Sequence, residues 1–226
     1  MTEEMKKILC HVDHTCLSPT ATRADILRLC DEGRRASVAS VCLPPRYVRT
    51  ARDYLGGAVK VCTVIGFPLG YMSAESKAAE TADAVRCGAD EIDMVIPLGA
   101  VKEGDFSAVF RDIAAVRHAC PAQVLKVIVE CCYLTEDEKI RLCDVVARAG
   151  ADYIKTSTGF GPGGATREDI LLFAAHCPPT LRIKAAGGIS SFETAADLLR
   201  CGADRLGSSR LVPLAEADQT DKGDRS

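Results

Sequence analysis

The run Gly88-Ala89-Asp90-Glu91-Ile92-Asp93-Met94-Val95-Ile96 stops a helix and starts a strand within a few residues. Glycine just past a helical stretch supplies the left-handed turn that ends it, and the alternation from Glu91 onward reads as a strand. The signal recurs. Gly150-Ala151-Asp152 and Gly202-Ala203-Asp204 also follow helical stretches and precede strands, each roughly two βα units further along. From these three anchors the strand candidates are Leu9–His14, Val38–Leu43, Val59–Ile65, Glu91–Ile96, Val124–Glu130, Tyr153–Thr156, Arg182–Ala185 and Arg205–Gly207, with amphipathic stretches between them. Eight strands alternating with helices predict an α/β fold, a single (β/α)8 TIM barrel spanning residues 1–214. Residues 215–226 are polar and aperiodic, and are expected to form a frayed, disordered tail.

Composition agrees with one barrel. A chain of 226 residues with 47% hydrophobic and 26% charged residues can bury a substantial core. The net charge is −3 with dispersed basic residues, which excludes the electrostatic footprint of a nucleic-acid binder. Met1 to Leu9 is charged and unlike a signal peptide, and no stretch is long and apolar enough to span a bilayer, so a cytoplasmic protein without membrane partners is expected. The 12 cysteines are read as reduced, packed thiols: Cys30, Cys87, Cys143 and Cys201 near helix ends, Cys42 and Cys62 in strand-like runs, with no C-x-x-C pair.

Parity along the strands selects candidate chemistry. A period of two puts Ile92, Met94 and Ile96 on one face and Glu91, Asp93 and Val95 on the other. The apolar face suits the helices, so Asp93 points into the barrel, where a carboxylate is costly unless paired or used. The same rule sends Ile154 and Ile183 outward and Lys155 and Lys184 inward. Two lysines therefore converge from adjacent strands near an aspartate, at the strand ends where barrels gather their active groups. The plainer alternative is a set of ion pairs that hold the barrel together. Lys60 and Lys126 are assigned that structural role.

A lysine nucleophile must be neutral, and an ordinary lysine, with a pKa of about 10.4, is neutral in about one molecule in a few thousand at pH 7. A neighbouring ammonium and a dry pocket favour the neutral form, and Lys184 is expected to supply this for Lys155. Asp93 would then shuttle protons during carbinolamine formation and dehydration. Gly159-Phe160-Gly161-Pro162-Gly163-Gly164, Gly187-Gly188 and Gly207-Ser208-Ser209 follow the last three strands. Any one of these is ordinary turn chemistry, but three on neighbouring strands point to a phosphate cradle.

His11-Val12-Asp13-His14-Thr15, Val64-Ile65-Gly66-Phe67-Pro68-Leu69-Gly70, Glu91 to Ile96, Tyr153-Ile154-Lys155-Thr156-Ser157-Thr158-Gly159-Phe160, Lys184-Ala185-Ala186-Gly187-Gly188-Ile189 and Gly202 to Ser209 together resemble the deoxyribose-phosphate aldolase family, in order, from about residue 8 to 214. The resemblance implies a class I aldolase that reversibly cleaves 2-deoxy-D-ribose 5-phosphate to D-glyceraldehyde 3-phosphate and acetaldehyde in deoxynucleoside catabolism, with no metal or organic cofactor. It implies Lys155 as the Schiff-base lysine, Lys184 as the second lysine and Asp93 as the proton donor and acceptor. Asp13, Thr15, Cys42 and Thr158 would border or hold the sugar, and Gly159, Gly187, Gly188, Gly207, Ser208 and Ser209 the phosphate. It also implies a phosphorylated sugar as the small-molecule partner and a homodimer as the assembly.

Two positions depart from the resemblance. Ser190 follows Gly187-Gly188-Ile189 where many relatives carry arginine, and Arg210 follows Ser209 where a small residue is usual. Arg210 is the expected compensation. Some members end in a tyrosine that reaches the active site, whereas no tyrosine follows Tyr153 here. Three rival readings stay open: a metal-dependent enzyme, disfavoured because His11 and His14 fall on opposite faces; a phosphate-binding barrel whose lysines act only electrostatically; and a sugar-phosphate binder without turnover.

Overall fold

The computed structural model describes residues 1–223. Strands β1 (Val12–Thr15), β2 (Ser40–Leu43), β3 (Lys60–Ile65), β4 (Glu91–Val95), β5 (Val124–Ile128), β6 (Tyr153–Lys155), β7 (Arg182–Ala186) and β8 (Arg205–Ser208) close into a barrel in sequence order. Every neighbouring pair is parallel, and β1 pairs with both β2 and β8. The helices are α1 (Glu3–Leu9), α2 (Arg23–Ala36), α3 (Val48–Leu55), α4 (Ala74–Arg86), α5 (Leu98–Lys102), α6 (Phe106–Ala119), α7 (Glu136–Arg148), α8 (Arg167–His176), α9 (Phe192–Arg200) and α10 (Leu211–Gly223). The chain is a single (β/α)8 TIM barrel.

Local chemistry explains where the helices begin. Thr22, Ser73, Asp105, Thr135, Thr166 and Ser191 each cap a helix by accepting a backbone N–H with the side chain, and Thr22 and Thr135 complete capping boxes with Asp25 and Glu138. Ile26, Ile113, Leu142, Ile170 and Leu198 are buried on the barrel-facing sides of their helices.

The three Gly-Ala-Asp repeats form one device used three times. Gly88, Gly150 and Gly202 have φ of 100°, 82° and 117°, the left-handed turn the sequence predicts. The aspartate then reaches the preceding strand: Asp90 Oδ2 accepts from Val61 N at 2.9 Å, Asp152 Oδ2 from Leu125 N at 2.8 Å and Asp204 Oδ2 from Ile183 N at 2.8 Å. Each repeat thereby ties β4, β6 or β8 to the neighbour that precedes it, at the barrel's N-terminal end, and helps set the register.

The differences from expectation lie at element ends. Leu9 closes α1, and β1 begins only at Val12. Cys30 and Cys143 lie within α2 and α7, not near their ends. Gly207 and Ser208 belong to β8. Residues 215–223, expected as a frayed tail, continue α10, with Ala215 buried against the core. The physical reason is that Leu211, Val212 and Ala215 share one apolar face, a short period that polar neighbours obscure in the sequence. Residues 224–226, also assigned to that tail, lie outside the described residues.

Candidate active site

Strands β4, β6 and β7 carry Asp93, Lys155 and Lys184 into the barrel, as parity requires. Asp93 Oδ2 accepts from Lys155 Nζ at 2.8 Å and from Lys184 Nζ at 2.7 Å. Lys184 also donates to Asp13 Oδ2 from β1. Two cations that were not selected as catalytic candidates complete the cluster. Lys126 of β5 donates to Asp93 Oδ1 at 2.8 Å and lies 2.6 Å from Glu91 Oε2, and Arg205 of β8 donates to Asp13 Oδ1 at 2.6 Å and approaches Glu91 at 3.2 Å. Four cations thus meet three carboxylates in a space almost closed to water.

Burial alone would push the Asp93 carboxyl up, but Lys126, Lys155 and Lys184 outweigh it and hold Asp93 well below the usual carboxylate range. Asp13 behaves the same way, with Lys184, Lys126 and Arg205 overcoming burial. Burial would depress the Lys184 ammonium, yet Asp13 and Asp93 raise it above the ordinary lysine value. Lys126 is likewise raised, burial being outweighed chiefly by Asp93. Lys184 is therefore a fixed positive charge beside Lys155.

A cavity of about 650 Å³ opens at the C-terminal end of the barrel. Lys155 is the only member of the charge cluster in its wall; Lys184, Asp93 and Asp13 lie behind it. The remaining wall is largely glycine and hydroxyl: Gly159, Gly187, Gly188, Gly207, Ser208, Ser209, Ser190 and Thr15 all face it, as does Arg210. Gly187 (φ 87°) backs against Gly164, where an added Cβ would meet the Gly187 carbonyl oxygen at 2.4 Å, so these two loops approach as only glycine permits. Among the described residues the exposed Arg210 guanidinium has no hydrogen-bond or ion-pair partner.

Several expected contacts sit differently. Asp13 is fully buried outside the cavity wall, both oxygens engaged by Lys184, Arg205 and Ser40. Cys42 is also fully buried, grouped with Cys62 and Val64 under Leu17 and Phe67, and does not reach the wall. Thr158 faces the cavity, but its hydroxyl donates to Glu130 and accepts from Phe160 N at 3.0 Å. The Ser208 hydroxyl is likewise spent on the Ile189 carbonyl, at 2.8 Å. Lys60 is an exposed partner of Asp90 at 3.5 Å. Parity alone would have found Lys126, Glu91 and Arg205, the last because Leu206 takes the outward face; nothing short of the fold singles out Glu130.

Cys42, Cys62 and Asp93, and separately Asp13, Cys62 and Glu91, bring three potential metal-ligating atoms within 4.8 Å of one another. Their donor atoms are already engaged: Cys62 donates to Asp93 Oδ1 at 3.2 Å, and Lys126 Nζ stands 3.4 Å from Cys62 Sγ. The cation held by this donor set is the Lys126 ammonium, which a metal ion would have to displace. His14 turns outward to Glu32 at 2.7 Å and His11 to the Asp204 carbonyl at 3.0 Å, so the two do not converge.

Comparison with known proteins agrees with this geometry. The family described as DeoC/LacD family aldolase matches residues 7–205. The chain is 49% identical over 216 residues to a deoxyribose-phosphate aldolase of Clostridioides difficile (strain 630), covering 96% of this chain and 99% of that one. It is 50% identical over 214 residues to a deoxyribose-phosphate aldolase of Clostridium botulinum (strain Alaska E43 / Type E3), covering 95% and 97%. Among solved structures, a tetrameric deoxyribose phosphate aldolase from Aeropyrum pernix superposes with a TM-score of 0.86 at 33% identity, covering 95% of this chain and 92% of that one. The chain belongs to the DeoC/LacD family of aldolases, within the deoxyribose-phosphate aldolases.

Proposed function

We propose that the protein is a class I aldolase that reversibly cleaves 2-deoxy-D-ribose 5-phosphate into D-glyceraldehyde 3-phosphate and acetaldehyde. The observation that carries this reading is that, of the cluster's four cations, Lys155 alone opens into a cavity whose far wall is built from glycine loops. Four cations face three carboxylates in the cluster, and Lys155 is the one of the four that a substrate carbonyl can reach.

In this mechanism Lys155 adds to the C1 carbonyl of the open-chain sugar, and the carbinolamine loses water to give an iminium ion. Removal of the 3-hydroxyl proton breaks the C2–C3 bond, the electron pair moves into an enamine on Lys155, and C3 leaves as the aldehyde of glyceraldehyde 3-phosphate. Protonation of the enamine and addition of water release acetaldehyde. Asp93, one oxygen shared by Lys155 and Lys184, relays the protons through water, and the Lys184 ammonium keeps positive potential at the reacting nitrogen. Asp13 acts by holding Lys184, and Thr15, whose hydroxyl donates to the Asp13 carbonyl at 2.8 Å, offers the substrate an acceptor oxygen at the cavity wall. Amides around Gly159, Gly187, Gly188 and Ser209 receive the phosphate.

The reading also includes a homo-oligomer and a cytoplasmic location. A family member from Aeropyrum pernix supports the first, and 12 free thiols support the second. Light scattering measures the assembly. The chemistry is tested by incubating the protein with acetaldehyde and sodium borohydride and mapping peptides. A two-carbon adduct on Lys155 is expected; no adduct, or one scattered over surface lysines, returns the protein to the electrostatic-lysine class.

A further inference from the structure

Glu130 follows β5 with a left-handed backbone, φ 55°, which is uncommon for a residue with a Cβ. Its side chain is 2% exposed, and all of its side-chain hydrogen bonds among the described residues run to Thr158, none to a lysine or arginine. A left-handed backbone and a buried carboxylate without a cation are both costly, and they persist where the surroundings over-determine them.

What Glu130 touches is the loop that leaves Lys155. Its carboxylate accepts the Thr158 N–H at 3.1 Å and the Thr158 hydroxyl, and that hydroxyl in turn accepts the Phe160 N–H. Gly161 packs directly on the carboxylate, where an added Cβ would meet its carbon at 3.3 Å. The loop's other side rests on the next one, with Ala165 N–H donating to the Gly187 carbonyl at 3.1 Å. Phe160 meets Phe67 edge to face at 5.3 Å and stands in the cavity wall.

We propose that Glu130 is a positioning residue: it clamps Thr158–Gly161 so that the backbone at Gly159 (φ 84°) faces the substrate phosphate and Phe160 completes the wall. This rests on the phosphate reading of the cavity. Glu130 touches no reacting atom and acts through the loop, so its loss weakens capture of a phosphorylated sugar while leaving the lysine able to form a Schiff base.

The test uses full-length Glu130→Gly and Glu130→Gln. Glycine accepts the left-handed backbone, so a defect in that variant belongs to the missing carboxylate, whereas glutamine keeps an oxygen for the Thr158 N–H. In Glu130→Gly, hydrogen exchange of amides 158–161 is expected to quicken about tenfold or more against an unchanged barrel. Its KM for 2-deoxyribose 5-phosphate should rise about tenfold, with acetaldehyde trapping on Lys155 within about twofold of the parent, and Glu130→Gln should recover part of each loss. Unchanged exchange in the loop overturns the proposal. So does trapping that falls in step with turnover, or a glutamine variant no better than glycine. A parent protein that traps no acetaldehyde sinks the aldolase reading instead, and the exchange comparison still decides the clamp.

Discussion

Lys155 and Lys184 are register partners on β6 and β7 and share a single oxygen, Asp93 Oδ2, at 2.8 and 2.7 Å. Only Lys155 reaches the cavity. The pair is therefore asymmetric: one amine opens on the cavity, and the other, tied to Asp13 as well, holds its charge. Lys155→Ala should lower turnover of 2-deoxyribose 5-phosphate by about 10⁴-fold or more and abolish the borohydride adduct. Lys184→Met should cost about 10²- to 10⁴-fold, yet still allow slow trapping on Lys155. Peptide mapping of both variants checks this, and an adduct on Lys184 in the parent would reverse the assignment.

Asp93 joins three ammonium groups, so its loss should be felt in stability as well as rate. In the parent, the depressed Asp93 and Asp13 carboxylates contribute stability that is present above the ordinary carboxylate range and lost only as pH falls through their lower folded values. The raised Lys126 and Lys184 contribute stability that is present below the ordinary lysine range and lost only as pH rises through their higher folded values. The cluster's contribution is therefore flat from about pH 5 to about pH 9. Asp93→Asn strands the ammonium groups and should destabilise by about 3–5 kcal/mol near pH 7. That deficit should shrink toward pH 10, where a stranded lysine can shed its proton. Urea unfolding at both pH values measures it, and an equal deficit at each contradicts the network described here.

Gly207 lies within β8 where an added Cβ would meet Ala186 Cβ at 3.0 Å and Lys184 Cε at 3.4 Å. Gly207→Ala should displace the Lys184 chain and lower kcat about tenfold or more, with a stability loss of about 1–3 kcal/mol from overpacking. A kcat within a factor of two of the parent would show that Lys184 has more room than the barrel suggests.

Among the described residues Arg210 is the one arginine in the cavity wall, and its guanidinium is exposed. A charged hydrogen bond to phosphate contributes about 1.5–3 kcal/mol, so Arg210→Ala should raise KM for the phosphorylated sugar by about 10- to 100-fold. The kinetics of unphosphorylated 2-deoxyribose should be untouched. Ser190→Arg placed in the Arg210→Ala background should restore part of the loss. An unchanged KM would mean that backbone amides alone hold the phosphate.

Much of this protein was legible without coordinates. The Gly-Ala-Asp repeats placed β4, β6 and β8, and the period of two aimed Asp93, Lys155 and Lys184 inward, because backbone sterics and strand pleat act locally and leave a local imprint. Closure into a ring, and the meeting of groups from different strands, are not local. Parity turns Arg205 inward, opposite Leu206, but only the pairing of β8 with β1 sets it against Asp13. Asp13 itself reads as a substrate contact until Lys184 and Arg205 take its oxygens. Glu130 looks like the end of an apolar strand until the Thr158 loop folds down on its carboxylate. Residue types and strand parity determined which side chains entered the barrel; only the ring of parallel pairing determined which of them touch, and so which amine is left facing the cavity.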